Sequence, residues 1–251
     1  MSIPKRVFIV PYRDREVHKV KFLEHMNSYL SDSNDWEIFF AHQCDNRPFN
    51  RGAMKNIGFL AIKRKYPQNY KDITFIFHDV DSYPRFKGMI PYNTHHGVVA
   101  HYYGYEFALG GMFAIKGNDF EKTGGFPNLW AWGLEDNIMR DRCSRAKLVI
   151  DRSCFFHISD QRICRLFDGF KRIYSQREIS IYKYEKPDTI RDIRDINYEI
   201  KDNFINIKQF NVREKWQDLD YKTKDIRSGR KIKIQKGYSR KIWSMSNMFL
   251  K

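Results

Sequence analysis

Ile73-Thr-Phe-Ile-Phe-His-Asp-Val-Asp81 runs a short apolar segment straight into two carboxylates. Residues 73–77 are apolar or β-branched between polar flanks, which reads as a buried strand, and His78, Asp79 and Asp81 then stand at its carboxyl end. Upstream, residues 6–10 form a second such run, ended by Pro11, and residues 17–30 place Val17, Val20, Leu23 and Leu30 at spacings that suit one helical face. Residues 36–41 read as another strand, and residues 52–66 as a helix that stops before Pro67. Strands alternating with helices predict an α/β domain on a mainly parallel, Rossmann-like sheet. In such sheets ligands sit beyond the carboxyl ends of the strands, so the residues after Val10, Ala41 and Phe77 are where chemistry is expected.

Composition agrees with one enzyme-sized domain and a tail. The chain has 251 residues, 42% hydrophobic and 16% aromatic, enough apolar material for a substantial core and too much for a disordered chain. Its net charge of +15 favours anionic partners without choosing among them. Cys44, Cys143, Cys154 and Cys164 form no C-x-x-C pair and read as reduced thiols. No apolar run approaches the ~20 residues of a membrane span, and residues 1–15 are too charged for a secretory signal. A soluble, cytoplasmic protein is the expectation. Residues 83–132, rich in Gly, Tyr and His, read as loops and short strands around a site, and residues 193–207 as a strand pair about Lys201-Asp-Asn203. Ten basic residues against Asp225 make residues 222–251 a basic tail that carries +9 of the charge. The expected division is therefore a domain over 1–217 and a tail over 218–251.

Several clusters carry candidate chemistry. Asp79-Val80-Asp81 sets two carboxylates at a strand terminus, where one can hold a divalent ion that also binds a diphosphate; read alone it is equally a solvated, capped turn. Pro11-Tyr-Arg-Asp-Arg15 and Phe49-Asn-Arg-Gly52 offer guanidinium forks for phosphate or a base, an aromatic ring for stacking, and helix N–H groups for an anion; each alone also suits an ordinary charged loop. Gly110-Gly111 is open to two readings, a tight turn or a backbone that a sugar approaches. In Gly124-Gly-Phe-Pro-Asn-Leu-Trp-Ala-Trp-Gly-Leu-Glu-Asp-Asn137, tryptophans able to stack on sugars precede two carboxylates able to take a hydroxyl proton. The plainer reading makes Trp130 and Trp132 core residues and Glu135-Asp136 the acidic first turn of a helix. His157, after Cys154-Phe-Phe156, is either a metal ligand or a satisfied core histidine.

In this order the blocks P-Y-R-D-R, F-N-R-G, F-H-D-V-D, G-G-M and G-G-F-P-N-L-W-A-W-G-L-E-D, followed by a later histidine, resemble the β-1,4-galactosyltransferase family, including the xylosylprotein galactosyltransferases of the proteoglycan linker. The resemblance spans residues 6–216. It implies a GT-A fold, a mixed, mostly parallel sheet flanked by helices, and Mn²⁺-dependent transfer of galactose from a UDP-sugar to an acceptor sugar hydroxyl with inversion. By the matching motifs, Pro11, Arg13 and Arg15 line the uridine and phosphate site, and Phe49 and Arg51 the base and ribose. Asp79, Val80 and Gly111 belong to the nucleotide-sugar site, Asp81 is the main metal ligand, and Trp132 sits on a loop that closes over the donor. Asp136 is the catalytic base, and Glu135 hydrogen-bonds the sugars. His157 is what remains of the family's H-x-H metal motif, because Ser159 stands in the second position.

Other departures from the family bear on specificity. Asn137 replaces the usual aspartate of the acceptor site, so the acceptor need not be N-acetylglucosamine, glucose or xylose. Ala108 replaces a bulky tyrosine of many galactose-specific relatives, which leaves N-acetylgalactosamine open as the donor sugar. Two competing classes remain at this level: a nucleic-acid- or polyanion-binding basic protein, with Tyr238 and Trp243 interleaved in the tail, and a catalytically silent UDP-sugar or glycan binder. The expected partners are a UDP-sugar donor, a glycan acceptor and an anionic surface for the tail, with nucleic acid disfavoured.

Overall fold

The computed structural model describes residues 3–184, 188–215 and 221–228. The chain runs β1 (Arg6–Tyr12), α1 (Glu16–Tyr29), β2 (Trp36–Gln43), α2 (Arg51–Lys65), β3 (Thr74–His78), β4 (Ser82–Pro84), β5 (Val98–Gly104) and β6 (Met112–Lys116). It continues with α3 (Gly117–Thr123), α4 (Glu135–Arg145), β7 (Val149–Asp151), β8 (Phe156–His157), β9 (Ile163–Arg165) and β10 (Lys171–Ser175). Last come α5 (Gln176–Tyr184), β11 (Arg194–Lys201), β12 (Phe204–Asn211) and β13 (Tyr221–Asp225). The strands and helices read from the first 80 residues are all present, with ends shifted by one or two positions.

The main sheet has the order β11-β12-β2-β1-β3-β6-β5-β7, with β8 on β5. The pairs β12·β2, β2·β1, β1·β3, β5·β7 and β5·β8 are parallel, while β6 and β11 run against their neighbours, so the sheet is mixed and mostly parallel. Register decides where the site lies. Tyr12 pairs with His42 and Ile9 with Phe77, which aligns the carboxyl ends of β1, β2 and β3 along one rim.

Both sheet faces are apolar, as expected of central strands covered on each side. In β1, Val7 and Ile9 pack toward α2 and α3, whereas Phe8 and Val10 pack toward α1. This two-residue alternation explains why residues 6–10 read as an unbroken apolar run. Each fully buried Phe or Ile contributes about 1.5–3 kcal/mol of burial, and Phe8, Phe40, Phe75, Phe77 and Phe113 are all closed to solvent. Among the described residues no helix is long and apolar enough to cross a membrane.

The basic segment from residue 222 divides. Tyr221–Asp225 pairs antiparallel with β10, joining Lys171 to Asp225 and Ser175 to Tyr221, so the backbone here is held to β10 while Lys222 and Thr223 stay exposed. Residues 229–251, with Tyr238 and Trp243, lie outside the described residues, as does 216–220, where the expected boundary at 217 falls.

Candidate active site at the rim of the sheet

The rim gathers most of the residues singled out in the sequence. Pro11 is the penultimate residue of β1, in a buried position. Arg13 donates through Nη1 to the Arg47 carbonyl at 2.5 Å and lies 5.4 Å over the Phe49 ring, so it braces the loop that presents Phe49. Arg15 reaches instead to Asp168, at 3.3 Å.

Asn50 starts α2 by accepting from the Ala53 N–H at 2.9 Å, a side-chain cap of the kind this position favours. Its amide also donates to the Asn128 carbonyl, and one turn on Asn56 donates to the Phe126 carbonyl and accepts from the Phe126 N–H, both at 2.8 Å. Two asparagines on one helix thereby fix the Phe-Pro-Asn segment through its backbone. The approach is close enough that a Cβ on Gly52 would lie 1.9 Å from the Pro127 carbonyl oxygen. Gly52 is therefore spent on packing, not on an open anion site.

Beyond this segment the two tryptophans part company. Trp130 is buried, stacked on Phe210 with Arg47 4.5 Å over its ring, and donates to the Glu214 carbonyl. Trp132 is half-buried; its backbone N–H donates to the Ile173 carbonyl at 2.8 Å, and its side chain packs near Ile179 and Tyr174. The chain then turns through Ala131, Gly133 and Leu134, all at positive φ, before α4 begins. Such a run at non-glycine residues is costly and persists only where the surroundings impose it. Its effect is to aim Glu135 and Asp136, the first turn of α4, at the rim of the sheet. The helix reading of Glu135-Asp136 is met, and the same turn sets both carboxylates against Arg51.

Arg51 ties the pieces into one cluster. It pairs with Asp79 through Nη2 and, through Nη1, with Glu135 and Asp136 at 3.3 Å each. Lys55, one turn further along α2, sets its ammonium 3.4 Å from the second Asp136 oxygen. Burial raises the carboxyl of Asp79, but Arg51 and Lys55 outweigh it and hold the group below its usual range. Glu135 goes the other way, pushed up to about 7 by burial and by Asp136. Two adjacent carboxylates whose environments separate them in this way are an arrangement found at catalytic sites.

Gly110 and Gly111, just before β6, close the cluster. A Cβ on Gly110 would meet Asp136 Oδ2 at 2.3 Å, and one on Gly111, at φ +70°, would meet the Tyr103 carbonyl at 2.4 Å. The Asp79 N–H donates to the Gly111 carbonyl. What the missing side chains admit here is the Asp136 carboxylate and a neighbouring strand.

On the far side of Asp79, Val80 is buried and Asp81 is half-buried. Burial, then Asp79 and Asp168, push the Asp81 carboxyl up to about 7. Oxygen donors of this charge suit a hard divalent cation, which would relieve the repulsion. His157 stands at the end of β8, where its Nδ1 meets the Ser159 hydroxyl at 2.8 Å. Tyr103 links the two: its hydroxyl donates to the Ile158 carbonyl, and its ring lies near Asp81. Among the described residues no three His, Cys, Asp or Glu side chains converge on one point. Asp81 offers the kind of carboxylate that suits a metal, and His157 is the other residue the sequence nominates for it.

Sequence reasoning missed Lys55, Asp168, Asn50 and Asn56. Lys55 was readable in principle, since position i+4 from Arg51 shares its helix face and a lysine interrupts an otherwise apolar turn. Asp168 had no local signal, because only the tertiary fold brings it to Arg15 across 153 residues.

Comparison with known proteins identifies the family. Residues 2–90 match the family model described as the N-terminal region of glycosyl transferase group 7, and residues 94–164 the one described as the N-terminal domain of galactosyltransferase. Human beta-1,4-galactosyltransferase 4 is 31% identical over 164 residues, 60% of this chain and 46% of that protein. The Caenorhabditis elegans xylosylprotein 4-beta-galactosyltransferase is 29% identical over 215 residues, 79% of this chain and 72% of that protein. The chain thus spans about half the length of the vertebrate relatives it matches. A crystal structure of Drosophila beta-1,4-galactosyltransferase 7, a mutant complexed with manganese, UDP-Gal and xylobiose, superposes with a TM-score of 0.66 at 21% identity, covering 82% of this chain and 94% of that one. That likeness establishes a shared GT-A fold. On the two family models, which meet within four residues of one another and contain the Asp-Val-Asp and Glu-Asp motifs, the chain belongs to the β-1,4-galactosyltransferase family of glycosyl transferase group 7.

Proposed function

We propose that the chain is an inverting glycosyltransferase that moves galactose, or N-acetylgalactosamine, from a UDP-sugar to the hydroxyl of an acceptor sugar. The observation that carries this reading is the span of one guanidinium. Arg51 touches Asp79 at the Asp-Val-Asp turn and both carboxylates of the Glu135-Asp136 pair, so a donor site at the strand end and a proton acceptor lie within a single side chain's reach.

In this reading Asp136 takes the proton of the acceptor hydroxyl as its oxygen attacks the anomeric carbon; a single displacement inverts that carbon. Glu135, near-neutral by burial, donates or accepts hydrogen bonds to the sugars and keeps them in register. Phe49, braced by Arg13, offers its ring to the base, and Arg15 offers its charge to the diphosphate once Asp168 releases it. Pro11, Val80 and Gly111 wall the nucleotide side, and Trp132 covers the donor. Asp81, with His157, would hold Mn²⁺, which when bound stabilises negative charge on the departing diphosphate. Asn137 is buried; its amide donates to the Phe107 carbonyl, and its Oδ1 has no partner. Where an aspartate would add charge, Asn137 sets a neutral amide.

The test is UDP release from a panel of UDP-sugars with sugar acceptors, in Mn²⁺ and in EDTA. Turnover of UDP-galactose or UDP-N-acetylgalactosamine that needs Mn²⁺ and falls by about 10³-fold or more in Asp136→Asn, with UDP binding kept, is the expected result. Asp81→Ala should abolish the metal dependence together with turnover. Intact turnover in Asp136→Asn would remove the base assignment, and failure to bind UDP at all would remove the donor class.

A further inference from the structure

Lys55 is the most deeply buried cation of the cluster, with 1% of its side chain exposed. It sits on α2 between Met54 and Asn56, among residues that are themselves buried. Its ammonium lies 3.4 Å from Asp136 Oδ1 and 4.4 Å over the Phe126 ring. An ammonium taken this far from water costs several kcal/mol, and an apolar residue of the same volume would often serve the fold as well. Its presence therefore calls for a role.

We propose that Lys55 is a positioning residue for Asp136, fixing the direction of the carboxylate that the reading above assigns as the base. The two oxygens are held separately, Oδ2 by Arg51 at 3.3 Å and Oδ1 by Lys55 at 3.4 Å. Both cations project from one helix face four residues apart, so α2 presents a rigid two-point clamp to a carboxylate at the head of α4. Gly110 closes the third side, since any Cβ there would strike Oδ2. The other groups facing Asp136 are anionic or neutral: Asp79 from the end of β3, Glu135 from α4, and His101 from β5, which burial keeps down at about 4. Arg51 is divided among three carboxylates. Among the described residues, Lys55 has Asp136 as its one ion-pair partner within 4 Å. Removing it leaves the carboxylate tethered at a single oxygen and free to swing toward Arg51.

The experiment compares Lys55→Met, which keeps the stem volume, with Lys55→Arg, which keeps the charge. Misplacing a catalytic group by about 1 Å costs on the order of 10²-fold, so Lys55→Met should lose about 10- to 100-fold in kcat with the donor KM changed by less than about threefold, and Lys55→Arg should recover most of the loss. Unchanged kcat in Lys55→Met, an equal loss in both variants, or a parallel collapse of UDP binding would each overturn the proposal. A double-mutant cycle of Lys55→Met and Asp136→Asn in thermal unfolding tests the pair without activity. Coupling between the two sites supports the clamp, and additivity overturns it even if turnover falls. Coupling present while Asp136→Asn keeps full turnover would leave the contact in place and sink the base reading instead.

Discussion

The two sides of the candidate site are built by different means. On the carboxylate side, Asp136 and Glu135 stand at a helix terminus behind a strained turn, clamped by Arg51 and Lys55 and backed by the Asn50 and Asn56 bonds to the Phe-Pro-Asn segment. On the Asp81 side, carboxylates face one another, Arg15 is diverted to Asp168, and His157 meets the Ser159 hydroxyl and N–H and the Tyr105 ring. The first is satisfied by the protein's own charges. In the second, burial, Asp79 and Asp168 outweigh the arginines near Asp81. On the proposed reading, preorganisation falls where a proton would move, and adaptability where a charged donor would enter and UDP would leave.

The sharpest way to break this contrast is to disturb the carboxylate side without touching its charges. Gly110→Ala adds one methyl that would meet Asp136 Oδ2 at 2.3 Å. We expect turnover to fall by about 10²-fold or more while stability changes by roughly 1–3 kcal/mol, the usual cost of overpacking. Measured kcat and UDP affinity check it; if the glycine tolerates alanine with full turnover, the carboxylate is not held where the clamp puts it.

A second, smaller effect concerns the support behind the Trp130 loop. Glu178 on α5 is buried and accepts a hydrogen bond from Tyr221 of β13, and among the described residues its second oxygen, Oε2, has no hydrogen-bond partner. Burial pushes its carboxyl up to about 8, against the lowering pull of Tyr221 and the Trp130 backbone. Below about 4.5 both the folded and the unfolded chain hold this proton; between there and about 8 only the folded chain does. Stability from this group is therefore present at low pH and is lost as pH rises through that window, at up to about 1.4 kcal/mol per unit before screening. Glu178→Gln should flatten the decline in a series of denaturant melts across pH 5 to 8, and an unchanged slope would show that the group titrates normally.

How much of this was legible beforehand follows the range of the interactions. The central strands and first two helices could be read because each is declared by local periodicity, and β11 and β12 because two β-branched runs flank Asp202-Asn203. The Glu135-Asp136 pair and the Asp-Val-Asp turn were visible as short motifs in sequence. Their meeting was not, since it depends on Arg51 bridging residues 79 and 135, which lie 28 and 84 positions away. The antiparallel course of β6 and the addition of β13 to β10 escaped for the same reason, as strand pairing is decided by partners distant in the chain. Gly110 gave a signal of the right kind with the wrong occupant: the space its hydrogen leaves is filled by a carboxylate.

The smallest expected effect addresses the Asp81 side. If this half is strained by its own charges, relieving one of them should stabilise the protein in the absence of metal. Asp81 is raised to about 7 by burial and by Asp79 and Asp168, so above that pH its ionisation works against folding. Asp81→Asn should thus raise the unfolding free energy at pH 8 in EDTA by about 1 kcal/mol, a value kept low because the group is only half-buried and neighbouring arginines offset part of the repulsion. Titrating Mn²⁺ into the wild type should stabilise it by mass action, and the same titration should leave Asp81→Asn unmoved. Repeating the melt with Asp136→Asn separates the two sides: removing that charge takes away a partner of Arg51 and Lys55, so stability should fall where Asp81→Asn raises it. Opposite signs from two like substitutions would show that one side is complete in itself and the other gains from a bound cation; equal signs would dissolve the distinction.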